Sequence, residues 1–499
     1  MTKILLLPLD ERPCNYDFPQ LVCQEANDIE LIIPPTEILG NKKEPGNVQA
    51  IEKWFLENIG KCEYGIVSID MLVYGGIVPS RLHYLDTSTC KKRISVLVEA
   101  KQKYPAIKIF AYNLIMRAPS YNSSEEEPDY YAKYGEELFK IGVLKDKIIR
   151  DTITKEEKEE YIIKIKELPK EVIEEFLQRR RVNQKVNTMS MTLLKNGIID
   201  FLVIPLDDCG EFGWAAIEQR QLRFQCLKEQ LTNKIYTYSG ADEVGLILLA
   251  RAVNFSRGKV PGVFLKFSSI NGPFIIPKYE DRPLGENLKW LISAAGGFSC
   301  PSVEDSDFIL MVNSPTIGGE RMAEASLDQS DLDSSYYSER CLPEFFNFMQ
   351  KYSDKKPIAL ADLAMGNGAD KALMEFINQN NFLNKLFSYA GWNTAANAGG
   401  TCIAHAMIKN NKKESKFVEM RILEDWIYMA DIRQKALQLA IDNGGDYFNL
   451  NGQEQKLAEY VTVELKKNLS IINFDNKELF DFDISFPWHR LFEIKFNIK

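Results

Sequence analysis

Asp200-Phe201-Leu202-Val203-Ile204-Pro205-Leu206-Asp207-Asp208 is a brief apolar run that ends in two adjacent acids. Consecutive apolar residues with no polar alternation mark a strand buried on both faces, which is the habit of parallel sheets. Helical character resumes near Gly213–Ala215, so the segment has the form strand, polar turn, helix. The same form recurs upstream at Lys3–Leu7, Ile29–Ile33, Tyr64–Ile69 and Ile107–Tyr112, and downstream at Lys234–Tyr238. A second series stands at Val263–Phe267, Phe308–Val312, Ile358–Ala361 and Leu386–Tyr389. Strands alternating with longer helical patterns signal an α/β fold with parallel sheets.

The second series looks self-contained, so two doubly wound parallel-sheet lobes with a helical C-terminal extension are expected. The competing architecture is a β/α barrel followed by a smaller α/β domain. The first lobe is placed at residues 1–255, with inserted, exposed helices at about 124–182 where Glu, Lys and Tyr accumulate. Within that insert, Arg179-Arg180-Arg181 reads as a solvated helix face. Ser256-Arg257-Gly258-Lys259 and Pro261-Gly262 mark the change to a second lobe, residues 256–411. Residues 412–499 form the extension, with Ile422, Trp426, Ile427, Met429 and Ile432 at helical spacing and an aromatic tail, Phe480–Phe492. No internal repeat is evident.

Composition narrows the function. The 499 residues are 45% hydrophobic and 26% charged, an ordinary globular balance. A formal net charge of -9 argues against nucleic acid or an anionic membrane as the main partner. The short run Ile4-Leu5-Leu6-Leu7, stopped by Pro8 and Asp10-Glu11-Arg12, is too brief for a signal peptide, and a cytoplasmic location is expected. Nine dispersed cysteines without a CxxC pair fit reduced thiols in that compartment. Only His83, His405 and His489 are present, which removes most serine–histidine and zinc-hydrolase chemistry.

The residues just past each strand carry the functional signal. Asp10-Glu11-Arg12 comes after the first, Asp70 after the third, Asn113 and Arg117 after the fourth, Asp207-Asp208 after the fifth and Gly240-Ala241-Asp242-Glu243 after the sixth. Polar groups at the ends of successive parallel strands converge on one face of a sheet, where open α/β proteins bind ligands. Any one of these acids alone is equally well a helix cap. Adjacent carboxylates repel, so one of Asp207 and Asp208 can hold a proton while the other stays ionised, giving a general acid beside a base. Arg81 is expected to pair with acidic loops. In the second lobe, Tyr279–Asn287 combines an acidic cluster with the start of a helix. Ala361-Asp362 ends a strand, and Asn367-Gly368-Ala369-Asp370 comes next. Trp392 and Asn393 stand in a Gly/Ala-rich turn suited to a sugar, the indole for the ring face and the amide for hydroxyls, although packing accounts for Trp392 as well.

Several of these segments are long motifs: LPLDERP, SIDMLVYGGIVPSR, NLIMRAP, IPLDDCGEFG, SGADEVGL, YEDRPLGENL, LADLAMGNGAD and YAGWNTAANAGGT. With them the chain resembles a bacterial family catalogued only as domain of unknown function 4127. The resemblance implies that the motif residues act together. Ala395-Ala396-Asn397-Ala398-Gly399-Gly400 looks like a variation on a more usual Ala-Gly-Asn-Thr-Leu-Gly.

The expectation is a hydrolase, specifically a glycosidase acting on a small sugar or amino-sugar conjugate. Asp208 would protonate the leaving oxygen, and Asp207 would orient, or be, the nucleophile or base. Asp10, Arg12, Asp70, Asn113, Arg117, Asp242, Glu243, Trp392 and Asn393 would bind substrate, with no cofactor. The alternative is a magnesium- or manganese-dependent sugar isomerase or phosphate-handling enzyme, since oxygen-rich, histidine-poor sites suit hard cations. A non-catalytic sugar sensor is the third reading.

Overall fold

Leu5, Leu6 and Leu7 are fully buried, as a strand covered on both faces requires. In the computed structural model, which describes residues 1–410, 415–475 and 481–498, they belong to β1 (Thr2–Leu7). β1 pairs in parallel with β2 (Ile29–Ile32) on one side and β3 (Tyr64–Ser68) on the other. β4 (Lys108–Tyr112), β5 (Phe201–Val203) and β6 (Ile235–Tyr236) extend the sheet in parallel, giving the order β2-β1-β3-β4-β5-β6. The chain winds outward to β2, then returns across β1 to β3. Crossovers therefore leave opposite faces at β1 and β3, opening a crevice at the C-terminal ends of those strands.

The chain divides into two compact units: Met1–Glu11, Asp28–Ala252 and Tyr279–Arg282 in the first; Arg12–Asn27, Val253–Lys278 and Pro283–Lys499 in the second. The second has its own parallel sheet, from β7 (Gly262–Phe267), β8 (Phe298–Ser299), β9 (Phe308–Asn313), β10 (Ile358–Asp362) and β11 (Leu386–Ala390). Its order, β8-β7-β9-β10-β11, repeats the winding of the first five strands of the first sheet. The two doubly wound lobes are thus present, and neither sheet is a barrel. The repetition is one of topology, which sequence comparison within the chain does not reveal.

The insert in the first unit comprises α1 (Tyr131–Ile149), α2 (Lys155–Glu167) and α3 (Lys170–Lys195). Only α2 is without a buried residue. Tyr131, Leu138, Ile141, Val172 and Phe176 form a core with Met116, Trp214 and Ile217. The solvated face expected for Arg179-Arg180-Arg181 is corrected accordingly: Arg179 and Arg180 are both 2% exposed, and Arg181 alone faces solvent. Arg180 donates to Glu218 and to the carbonyls of Met116 and Arg117. Arginine can be buried there because its fixed fork of donors meets an acid and two orphan carbonyls at once.

The C-terminal residues group with the second compact unit. Residues 411–414 and 476–480, which include the expected boundary and Phe480, lie outside the described residues. The apolar positions from Ile422 fall on a π-helix, Ile422–Ile432, buried on nearly all sides. The aromatic tail is an antiparallel pair, β12 (Phe482–Ser485) with β13 (Lys495–Ile498), instead of more helix. Among the described residues no helix is long and apolar enough to cross a membrane.

Candidate functional site

The loops leaving β4, β5 and β6 stay in register after the strands end. Ile115 N donates to Pro205 O, Leu206 N to Tyr238 O, and Gly240 N to Leu206 O, at 2.9, 2.8 and 3.0 Å. This carries Asn113–Arg117, Asp207-Asp208 and Gly240–Glu243 side by side over one edge of the first sheet. Beside them, Ser68 caps the short helix Ile69–Tyr74, accepting from Met71 N at 3.1 Å, and places Asp70 in its first turn. Asp70 Oδ2 accepts the Leu114 amide at 3.0 Å. Asp281, which sequence spacing placed at a helix start, instead accepts Ser239 Oγ and Gln219 Nε2 at 2.8 and 2.9 Å and steadies the loop after β6.

Asp10, Asp70 and Asp242 converge on Tyr112 at the end of β4. Burial, and then the negative charge of these three, push its phenol well above its ordinary value. Asp70 is 2% exposed, and burial together with the charge of Asp207 raises its carboxyl to about 7. Glu243 is raised to about 8, first by burial and then by Asp242 and Asp207. Its Oε2 accepts the Ala241 amide at 3.0 Å, while Oε1 is buried with no hydrogen-bond partner. A Cβ on Gly240 would lie 1.9 Å from that Oε1, so only glycine permits this approach. The Oδ1 of Asn113 is a second buried acceptor without a partner, its Nδ2 being donated to Asn187.

Asp207 and Asp208 each meet an arginine. Arg81 donates to Asp207 at 2.7 Å and to Glu126 at 2.9 Å; Arg117 donates to Asp208 at 2.8 Å, Glu127 at 2.8 Å and Glu126 at 3.1 Å. Asp208 differs from its neighbour in two ways: its side chain is 30% exposed, and its backbone is held at a φ of +25°. Burial of the rest of the carboxyl and the charge of Asp207 lift it to about 6 against the pull of Arg117. Such strain in a non-glycine residue needs a surrounding network to hold it. Two members of this network escaped the sequence reading, Glu126 and Glu127, because a run of acids has the look of a solvated turn. Their positions after the arginine-bearing NLIMRAP segment were the signal available.

The remaining expected site residues lie in the second unit, and each is engaged there. Arg12 sits over the Trp488 ring at 4.5 Å and faces Glu493 at 3.7 Å. Trp392 is 5% exposed, packs its ring at a tilt against Phe492 and donates its indole N–H to the Phe492 carbonyl at 3.2 Å. Asn393, at a φ of +73°, accepts the Asn367 amide at 3.0 Å. The strand ends of that unit hold their own buried network. Asn313 donates to Asp362 and Asp370 at 2.8 and 3.1 Å, Arg340 donates to Asp370 at 2.5 Å, and Asp425 accepts the Gly391 amide at 2.7 Å. Burial and the charge of Asp370 raise Asp362 to about 7.

Among the described residues, no group of three or more His, Cys, Asp or Glu is arranged to hold a metal ion. The strand ends of the first unit thus carry several carboxyl groups raised toward neutrality beside two guanidinium groups held by acids. No curated protein and no solved structure matches the chain. A family model does match, described as a protein of unknown function (DUF4127), and it spans residues 4–497. The chain therefore belongs to the DUF4127 family.

Proposed function

We propose that the first unit is a hydrolase, specifically a glycosidase acting on a small carbohydrate through carboxyl acid–base chemistry. One observation carries this reading: the acids that follow β3, β5 and β6 act on one another across the C-terminal edge of the sheet, and three of them are raised to between about 6 and about 8. Groups with pKa values near the working pH exchange protons most effectively in a transition state. Asp208, the partly exposed member, donates a proton to the leaving oxygen. Asp207, fixed by Arg81, is the base or nucleophile. Asp10, Asp70, Asn113, Asp242 and Glu243 bind hydroxyl groups, and Arg117 holds Asp208 in place. Arg12, Trp392 and Asn393 have no part in this reading, because their side chains or backbones are engaged within the second unit. The nine free cysteines support a reducing, cytoplasmic setting.

The test is turnover of a panel of nitrophenyl α- and β-glycosides and N-acetylglycosaminides by wild type and Asp208→Asn. Cleavage by the wild type is expected. The variant should lose turnover by about 100-fold or more and keep ligand-induced thermal stabilisation, since general-acid catalysis contributes on that order. Silence of the wild type across the panel, or full turnover by the variant, overturns the proposal.

A further inference from the structure

Lys371, Glu375 and Gln379 recur every four residues along the helix Lys371–Gln379, so they share one stripe of its surface. That stripe lines a cavity of about 450 Å³ within the second unit, ample for a small ligand. The π-helix Ile422–Ile432 supplies another wall. Its i→i+5 bonding brings residues five apart to one side, and Trp426 and Asp431 both line the cavity. Asn378 ties in a third wall, donating to the Ile471 carbonyl at 3.1 Å and accepting the Asn473 amide at 2.8 Å. The outline of the cavity is therefore fixed by hydrogen bonds before any ligand arrives.

Three polar groups on these walls are left for a ligand. Trp426 is 8% exposed, yet its indole N–H donates to no group among the described residues and is not sealed from the cavity. Buried indoles ordinarily give that N–H a partner, as Trp214 and Trp392 do with the carbonyls of Leu138 and Phe492. Lys371 and Glu375, although four residues apart, form no ion pair with each other or with any other described residue. Neither is placed to stabilise the helix: lysine before glutamate is the weaker order of such a pair, and a cation in the first turn opposes the helix dipole. The charge of Lys371 acts on Asp328, but no hydrogen bond joins them. Asp431 gives its Oδ2 to Lys435 at 2.8 Å and adds a second carboxylate to the cavity.

We infer that this cavity is a binding site for a free α-amino acid with an apolar side chain. The Trp426 N–H and the Lys371 ammonium hold the ligand's carboxylate, and charge-assisted hydrogen bonds of this kind are among the stronger ones. Glu375 and Asp431 face its ammonium group. Ile427 and Ile471, which also line the cavity, receive the side chain. A neutral polyol answers neither charge, and a simple acid or a simple amine answers one. The site lies in the second unit and stands independently of the hydrolase proposed for the first.

Isothermal calorimetry on the full chain tests this with leucine, with leucinamide, which lacks the carboxylate, and with 4-methylpentanoate, which lacks the amine. Leucine should bind at least about tenfold more tightly than either, as the loss of one charge-assisted contact implies. Lys371→Met should erase its advantage over leucinamide, and Glu375→Gln its advantage over 4-methylpentanoate. Both positions are on the surface stripe, so melting curves of the two variants should match the wild type. Nitrogen-15 spectra supply a second readout. Of the six tryptophan indole signals, the one lost in Trp426→Phe should shift on adding leucine. No binding of leucine at about 10 mM would overturn the inference, since that affinity is too weak for a built site. Equal affinity for the three probes, leucine affinity unmoved in both surface variants, or a shift confined to the other five indoles would do the same.

Discussion

Arg180→Met separates a solvated helix face from a buried anchor. If Arg180 lay on the surface, the substitution would change stability by no more than about 0.5 kcal/mol. In the structure its guanidinium is 2% exposed, 2.5 Å from Glu218 and 2.8 and 3.1 Å from the Met116 and Arg117 carbonyls. Removing one partner of a buried ion pair costs about 3–5 kcal/mol, because the other charge is left uncompensated. Two carbonyls losing a net ~1 kcal/mol each bring the expected loss to about 4–6 kcal/mol, allowing for non-additivity. The pH dependence has a definite sign. Burial already raises the Glu218 carboxyl above its ordinary value, and Arg180 restrains that rise. Without the arginine it rises further, so the lost stability is greatest at neutral pH and partly returns as the pH falls and Glu218 takes up a proton. Urea unfolding at pH 7.5 and pH 5.5, followed by far-UV circular dichroism and tryptophan fluorescence, measures both effects. Glu218→Gln in the Arg180→Met background should recover a substantial part of the loss at pH 7.5. A loss below about 1 kcal/mol at pH 7.5, or one that grows as the pH falls, would refute the assignment of Arg180 as a buried anchor.

Gly240→Ala places a methyl where Glu243 Oε1 now lies, at a backbone φ of +153° that favours glycine. It should lower the melting temperature and any glycoside turnover together, and an unchanged melting curve would show that the close approach is not required. Asp425→Ala frees the Gly391 amide and leaves Arg421, itself 1% exposed, with Glu424 as its remaining acidic partner. A loss of about 2–4 kcal/mol is expected by thermal or urea unfolding, and a neutral result would mean that the turn at Gly391 holds its shape without this acid.

The local grammar of the chain was enough for the fold class. Strands such as Phe201–Val203 and Phe308–Asn313 are continuous apolar runs because parallel sheets are covered on both faces, and that requirement is written residue by residue. The same grammar marked the candidate acids, since a polar residue directly after a buried strand stands at the sheet's edge. It could not show that the second sheet repeats the winding of the first, because strand order depends on which crossover passes which face.

The sequence by itself thus determined two parallel sheets and the candidate positions Asp10, Asp70, Asn113, Asp207, Asp208, Asp242 and Glu243. Tertiary structure alone decided which of them act on one another. Asp207 and Asp208 are neighbours in the chain, yet Arg81, from the short helix Pro79–Leu82, and Arg117, from the loop after β4, give them different partners. Arg12, Trp392 and Asn393 look equally suited to a sugar, but the packing of the second unit engages them with Trp488, Phe492 and Asn367. Arg180 and Glu127 look solvated by composition and are buried by contacts made far along the chain. The physical reason is the same each time. Hydrophobic patterning has a short period and is legible locally, whereas the charge, burial and proton affinity of a side chain depend on whatever the fold brings within a few ångströms.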